Sequence, residues 1–427
     1  MKKYLILLLS VVLTFTLAAC GQSDSSGGDS KGKTEISVLL GKPEVIGEFE
    51  EMVAEFNDTH EIKVTVVPLA GQNGYEKMTS LYASNNAPTI MMIASEFEEF
   101  KDRLLDLSDQ EWIGHAQPGT LDFMTVDGKS YGMPTTVEAF GFIYNQAVLD
   151  AAVGGTFEPE SIKTQDDLKA LFDKIEATGK DAIHISPMDW SLGAHLTNIP
   201  FATQSSDSGE RHQFLQDIAD GNVDIASNDK FNGWMDTFDL MKEYNSDKDA
   251  PLAPQYDAGP LALATGDAGL WFMGNWAYPQ LKELDPEGEY GFLPVPVSNN
   301  AEDYGNSEIS VGVPAYWVVD QSQSTEEEQQ AALEFLNWMV FEEGQDDYIK
   351  DMNFIPVFDN IEIAPEDPIS QSVISYMAAG KTLEWVNSYY PPDAYPAFGA
   401  ALQKYLDDKI DRQELFTEFE NYWAGRK

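Results

Sequence analysis

"ISVLLGKPEVIGEFEEMVAEFNDTHEIKVTVV", residues 36–67, sets two periodicities side by side. Residues 36–40 form a short apolar run of strand length. Gly41-Lys42-Pro43 breaks it, and Ile46, Phe49, Val53 and Phe56 then recur at the spacing of a helix face. Pro43 suits the first turn of that helix, where a missing N–H leaves no bond unmade. Ile62, Val64 and Val66 next alternate with polar residues, as along a half-buried strand. Residues 75–83 have helical character again, and 89–94 read as a third apolar strand. Strand, helix, strand, helix, strand implies crossover connections, hence a parallel sheet with helices on its faces. The fold class is α/β.

Later segments repeat the idea with longer helices. Thr325-Glu326-Glu327-Glu328 fits a capping box, and Leu333, Leu336 and Val340 follow on one face of a helix expected to run on to about residue 350. A last helical run covers about 396–423, with a break near Asp411. No solenoid repeat is present. About 400 residues remain beyond the N-terminal segments, with 43% hydrophobic residues over the whole chain, enough for two lobes with separate cores.

The first residues are of another kind. Lys2 and Lys3 precede an apolar stretch, 4–17, that ends in Leu17-Ala18-Ala19-Cys20. This reads as a signal peptide over 1–19, too short for a transmembrane helix, and the small residues before Cys20 resemble the lipobox of bacterial lipoproteins. Cys20 is then the lipidated first residue; the alternative is ordinary cleavage that leaves a free thiol. With Cys20 lipidated, no thiol remains for a disulfide, a thiolate metal site or a cysteine nucleophile. "GQSDSSGGDSKGK" follows, a flexible tether of about 13 residues, so residues 20–33 link the anchor to the body.

Formal net charge is −46, with 72 acidic residues against 26 Lys and Arg. A surface of that sign repels nucleic acid and anionic lipid headgroups, and its even spread reads as a solvated face suited to saline or alkaline surroundings. His60, His115, His184, His195 and His212 show no metal-binding spacing and no HExxH. Phosphate loops, the dinucleotide fingerprint, the nucleophile elbow and the EF-hand pattern are all missing from the sequence. Calcium has only scattered carboxylates to bind, and nothing calls for a metal or cofactor. A glycoside hydrolase needs only two suitably spaced carboxylates, so a surface hydrolase stays open as an alternative.

"TGDAGLWFMGNWAYPQL", residues 265–281, carries the site. Residues 268–273 alternate as a strand, with Leu270 and Phe272 on one side and Trp271 and Met273 on the other, and Pro279 suits the first turn of a following helix. Gly274, Asn275 and Trp276 therefore lie at the carboxyl end of a strand, the edge at which open α/β sheets bind ligands. An indole offers a flat apolar plate and the Asn275 amide both donates and accepts, a pairing that suits the C–H face and hydroxyl rim of a sugar. Core packing of Trp276 and turn formation by Asn275 are the alternatives.

"GDAGLWFMGNWA" resembles the segment of the carbohydrate-binding proteins of ABC importers in which a strand delivers a Gly-x-Trp turn to the sugar. "YGMPTTVEAFGFIYNQAVLD", residues 131–150, resembles that family's first crossing between lobes. "YGFLPVPV", 290–297, resembles its motif near the second, and "FIPVF", 354–358, the Ile-Pro after a long helix. The likeness runs from about residue 35 to 423. It implies a two-lobed, type II periplasmic-binding-protein-like fold, each lobe a mostly parallel sheet flanked by helices. On this reading 34–139 and about 310–362 form the first lobe, 140–309 and about 363–427 the second. It further implies a monomeric, lipid-anchored receptor on the extracellular face that closes over an oligosaccharide and hands it to an ABC permease, with no chemistry done. A polyamine or peptide in the same fold is the alternative ligand.

In the crossing motif Glu138 stands where the family often carries a ligand-facing carboxylate, with a solvated surface acid as the other reading. Lys42, Ser95 and Glu96 follow the first and third strands and so share the carboxyl edge with Trp276; Lys42 is equally a solvated turn residue. Trp190 sits in the polar loop "SPMDWSLGAH", where an indole has little to pack against. The late segment "EWVNSYYPPDAYP", 384–396, resembles family segments that add aromatic and acidic contacts, which points to Tyr390 and Asp393. Tyr144 and Asn145 read as structural. Trp271 and Trp317 read as core, and Trp112, Trp234, Trp338 and Trp423 as packing.

Overall fold

The computed structural model describes residues 32–70, 72–341, 343–424 and 426. Cys20, the leader and all but the end of the tether lie outside the described residues. No helix among those described is long and apolar enough to cross a membrane.

The opening stretch folds as its two periods require. β1 (Thr34–Leu40) pairs in parallel with β2 (Ile62–Pro68), Ile36 opposite Val64 and Val38 opposite Val66, and with β3 (Ile90–Ile93). The helix Ile46–Thr59 buries Phe49, Met52, Val53 and Phe56 against this sheet's core, and Phe49 stacks on Trp317 at 5.4 Å. A hairpin of β4 (Thr125–Val126) and β5 (Lys129–Ser130) stands apart. The first sheet is completed by β6 (Met133–Pro134) and by β12 (Tyr316–Val319), in the order β2-β1-β3-β12-β6.

The second sheet gathers β7 (Glu138–Asn145), β8 (Asp181–His184), β9 (Ala268–Gly274), β11 (Ile309–Gly312) and β13 (Thr382–Leu383), in the order β13-β11-β7-β9-β8, with β10 (Tyr290–Leu293) also on β7. All of β7 and all of β9 are buried, so helices cover both faces. Trp271 is one such residue, fully enclosed, and its Nε1 donates to Ser186 Oγ at 2.9 Å.

One strand in each sheet is reversed. β12 runs antiparallel to β3 and β6, and β7 antiparallel to β9, β10 and β11. Both enter from the other lobe, and the route explains the direction. Resident strands finish at the edge facing the partner sheet, so an arriving chain starts at that edge and must run away from it. The chain crosses at 135–137, between β6 and β7, and at 313–315, between β11 and β12. Glu138 and Ala139 thus begin the second sheet, although the expected division placed them in the first, and the return falls a few residues past 310. Ile355 bridges back to Val137 before the chain enters the helix Pro368–Ala378, which packs beside β10.

The capping box closes as expected. Thr325 N–H donates to Glu328 at 2.7 Å, and Glu328 N–H to the Thr325 hydroxyl at 3.3 Å. The helix it starts, Glu326–Phe341, does not run on to residue 350. Gly344 opens a separate turn seated so closely on Trp338 that a Cβ there would lie 2.5 Å from the indole, and Asp347–Asp351 is a π-helical turn. The C-terminal run divides into Ala394–Leu406 and Arg412–Ala424.

Candidate ligand-binding cleft

The carboxyl ends of the resident strands face one another across a cavity of about 770 Å³. From the first lobe come Lys42, just past β1, and Ser95 and Glu96, just past β3. From the second come Glu138 at the start of β7, Trp190 beyond β8, Trp276 beyond β9 and Tyr390. Seven of the nine ligand-binding candidates named from the sequence therefore line one void.

Trp276 owes its position to Gly274. A Cβ on Gly274 would lie 1.9 Å from the Trp276 ring, so the absence of a side chain lets the indole fold back over the strand end. The ring is half-buried, with Trp190 edge-on to it at 6.3 Å and Tyr256 next in line, 6.0 Å from Trp190. These rings, with Trp385, make an aromatic wall.

Beside Trp276, around one small side chamber, lies a charged cluster. Lys42 Nζ donates to Glu138 Oε1 at 2.5 Å and to Glu44 Oε1 at 2.8 Å, and sits 5.9 Å over the Phe354 ring. Burial works to lower the Lys42 pKa, but Glu138 and Glu44 outweigh it and hold the ammonium above its ordinary value. Burial raises the Glu138 carboxyl, and Lys42 draws it back. Glu96 is tied to its own strand end, accepting from the Ala94 N–H at 3.0 Å. The cavity walls thus carry three carboxylates, Glu44, Glu96 and Glu138, against one ammonium.

Asn275 and Asp393 are not on the cavity wall. Asn275 is buried, and its Oδ1 accepts the Ala139 N–H at 2.8 Å, which pins the turn after β9 to the start of β7. It borders a side chamber of about 20 Å³, the room of a single water, shared with Lys42 and Glu138. Asp393 accepts from the Tyr422 hydroxyl at 2.7 Å and pairs with Arg426, an ion pair at the molecular surface. Tyr390 lines the cavity but is almost wholly buried, its hydroxyl donating to Thr197 O at 3.2 Å.

The sequence reading passed over His195, Tyr256 and Tyr395 as lining residues, and took Trp385 only as part of an aromatic segment. His195 had a signal of a sort, standing five residues after Trp190. That spacing places two side chains on one face only in a π-helix, and Ser191–Leu196 is one. No group of three or more His, Cys, Asp or Glu among the described residues is placed to hold a metal ion.

Two α/β lobes joined by crossing strands around a cleft with polar and aromatic walls define a hinged ligand-binding protein. The sequence profile of the bacterial extracellular solute-binding proteins matches residues 51–374, and the chain belongs to that family. It is similar to the maltodextrin-binding protein MdxE of Bacillus subtilis, 26% identical over 317 residues that span 71% of this chain and 70% of the relative. It is 22% identical to the multiple sugar-binding protein of Streptococcus mutans, over 70% of this chain and 71% of that one. Among solved structures, RafE in complex with raffinose shares the fold, with a TM-score of 0.76 at 21% identity, over 92% of this chain and all (100%) of that one.

Proposed function

We propose that this chain is the receptor of an ABC importer for a neutral oligosaccharide, held at the cell surface by lipid on Cys20. The observation that carries the reading is the composition of the cleft, whose wall carries Trp190, Trp276, Trp385 and Tyr256 together with three carboxylates and one lysine. Sugar rings stack on indoles through their C–H faces, while carboxylates accept from their hydroxyls. Three carboxylates against Lys42 disfavour uronic acids and other anionic sugars. The sugar-binding names of the two relatives and the raffinose held by RafE support the same ligand class. Lobe 1 and lobe 2, divided at the crossings 135–137 and 313–315, close as the ligand bridges them. Nothing is cut; the sugar passes on unchanged to the permease.

Calorimetric titration with neutral mono- to tetrasaccharides, followed by chromatography of the same mixtures, tests this directly. We expect binding of at least one saccharide with no product formed. Hydrolysis of the sugar would move the protein to the glycoside hydrolases, and binding of polyamines alone would replace the ligand class.

A further inference from the structure

Among the residues lining the cleft, His195 is a titratable side chain that takes part in no ion pair with a described residue and whose polar atoms have no task within the protein. Its ring lies on Phe140, centroids 4.5 Å apart and planes 17° from parallel. Trp276 at 5.0 Å, Trp190 at 5.4 Å and Trp385 at 5.9 Å enclose it further. The imidazole borders the cavity, and among the described residues neither of its nitrogens has a hydrogen-bond partner. The side chain is only part-buried and its nitrogens still meet water; packing alone would be served by Phe, so two polar atoms kept at the cavity with no bond inside the protein are left free for a ligand.

The placement is built by the backbone. The π-helical stretch Ser191–Leu196 lies directly on the helix Ala394–Leu406: a Cβ on Gly193 would stand 2.1 Å from Tyr395 O and 2.4 Å from Gly399 N. Gly399 answers with the same closeness to Asp189, 2.5 Å from its carbonyl oxygen. Two glycines on facing segments let the backbones touch, and that contact holds the turn which carries His195 to the cavity floor.

We infer that His195 is a specificity-determining residue of the cleft, a neutral imidazole whose one N–H and one lone pair read a hydroxyl of the bound sugar. The inference rests on the oligosaccharide reading above. Burial lowers the His195 pKa to about 3, so a donor and an acceptor are both present from mildly acidic to alkaline solution. A site built to hydrogen-bond a hydroxyl discriminates strongly against an analogue that lacks it, because its own polar atoms are then left unpaired.

Calorimetric titration of the wild type, His195→Phe and His195→Gln with neutral mono- to tetrasaccharides, and with monodeoxy analogues of the best of them, tests the inference. Thermal unfolding of each variant is recorded alongside. The Phe variant keeps the ring stack and removes both nitrogens; we expect its affinity to fall about 10- to 100-fold, with loss of discrimination against one deoxy analogue. The Gln variant restores a donor and an acceptor and is expected to recover part of the affinity. A Phe variant that binds within twofold of the wild type overturns the inference. Should that variant not fold, His195→Ala decides, because a deoxy-sugar profile unchanged from the wild type in a variant with neither donor nor acceptor also overturns the inference. A wild-type protein that binds none of the saccharides overturns the oligosaccharide reading itself, an outcome distinct from either.

Discussion

Gly274 and Trp276 act as one unit, because the indole occupies the space a side chain at 274 would take. Trp276→Ala is expected to weaken saccharide binding by about 1 to 3 kcal/mol while unfolding at nearly the wild-type temperature, the scale of an aromatic anchor at a binding surface. Gly274→Ala is expected to weaken binding in the same direction by pushing the ring out of place; quenching of tryptophan fluorescence by sugar reads both. Lys42 is held by two carboxylates, so Lys42→Met leaves Glu138 and Glu44 facing each other unneutralised in a buried place. A loss of about 3 to 5 kcal/mol in denaturant unfolding is expected.

His195 makes a prediction in pH. An unfolded histidine takes up its proton near pH 6.5, whereas the folded chain holds this imidazole neutral down to about 3. Between those values the unfolded state carries the extra proton, so acidification favours unfolding, by about 1.4 kcal/mol per pH unit from this residue. Burial alone is responsible; Glu138, Asp189, Glu384, Tyr390 and Tyr395, on the elements around it, do not contribute. His184, lowered by burial against the pull of Asp247, adds in the same direction. The stability of His195→Phe is therefore expected to fall less steeply than that of the wild type between pH 6 and pH 4.5.

At the scale of elements, the contact between the π-helical turn and the helix Ala394–Leu406 has no slack. Gly193→Ala would force backbones apart, and a loss of about 1 to 3 kcal/mol or more is expected, with weaker sugar binding as His195 and Trp190 move. Thr325→Ala, which opens a capping box far from the cleft, is expected to lower stability by about 1 kcal/mol and leave binding alone. Comparing the two variants by thermal unfolding and titration separates damage to the site from damage to the fold. The start at the Thr325 capping box, the opening βαβαβ and the division near Asp411 were all legible, since each rests on local spacing and local caps. The separation of Gly344–Asp346 and the π-helical turn after it from the long helix was not, since no local cap or spacing marks it. The reversed directions of β7 and β12 were not either, since they follow from where a chain enters a sheet.

On the scale of the whole molecule, a net charge of −46 repels itself in the compact state. Screening shortens the range of that repulsion, so the unfolding temperature is expected to rise as sodium chloride is added from about 0.01 M, where the Debye length is about 30 Å, to 0.15 M, where it is about 8 Å. A sugar present at 100 times its Kd is expected to add about 2.7 kcal/mol to stability, read as a further rise in unfolding temperature.

The sequence by itself determined the opening order of strands and helices, the α/β class and several of the strand ends at which a ligand site would form. Periodicity and turn residues are properties of neighbours along the chain. It also marked Trp276, Trp190, Lys42, Ser95 and Glu96, since each follows a strand or stands where apolar packing has no local reason; Glu138 was marked only by the resemblance of its segment to the sugar-binding family. Only the tertiary structure decided which side chains face the cavity. Asn275 turns to β7, Asp393 to Arg426, and His195 to the cavity floor through a turn held on residues some 200 positions further along the chain. The direction a side chain takes is set by what its backbone touches across the fold, and contacts between distant segments leave no period in the sequence.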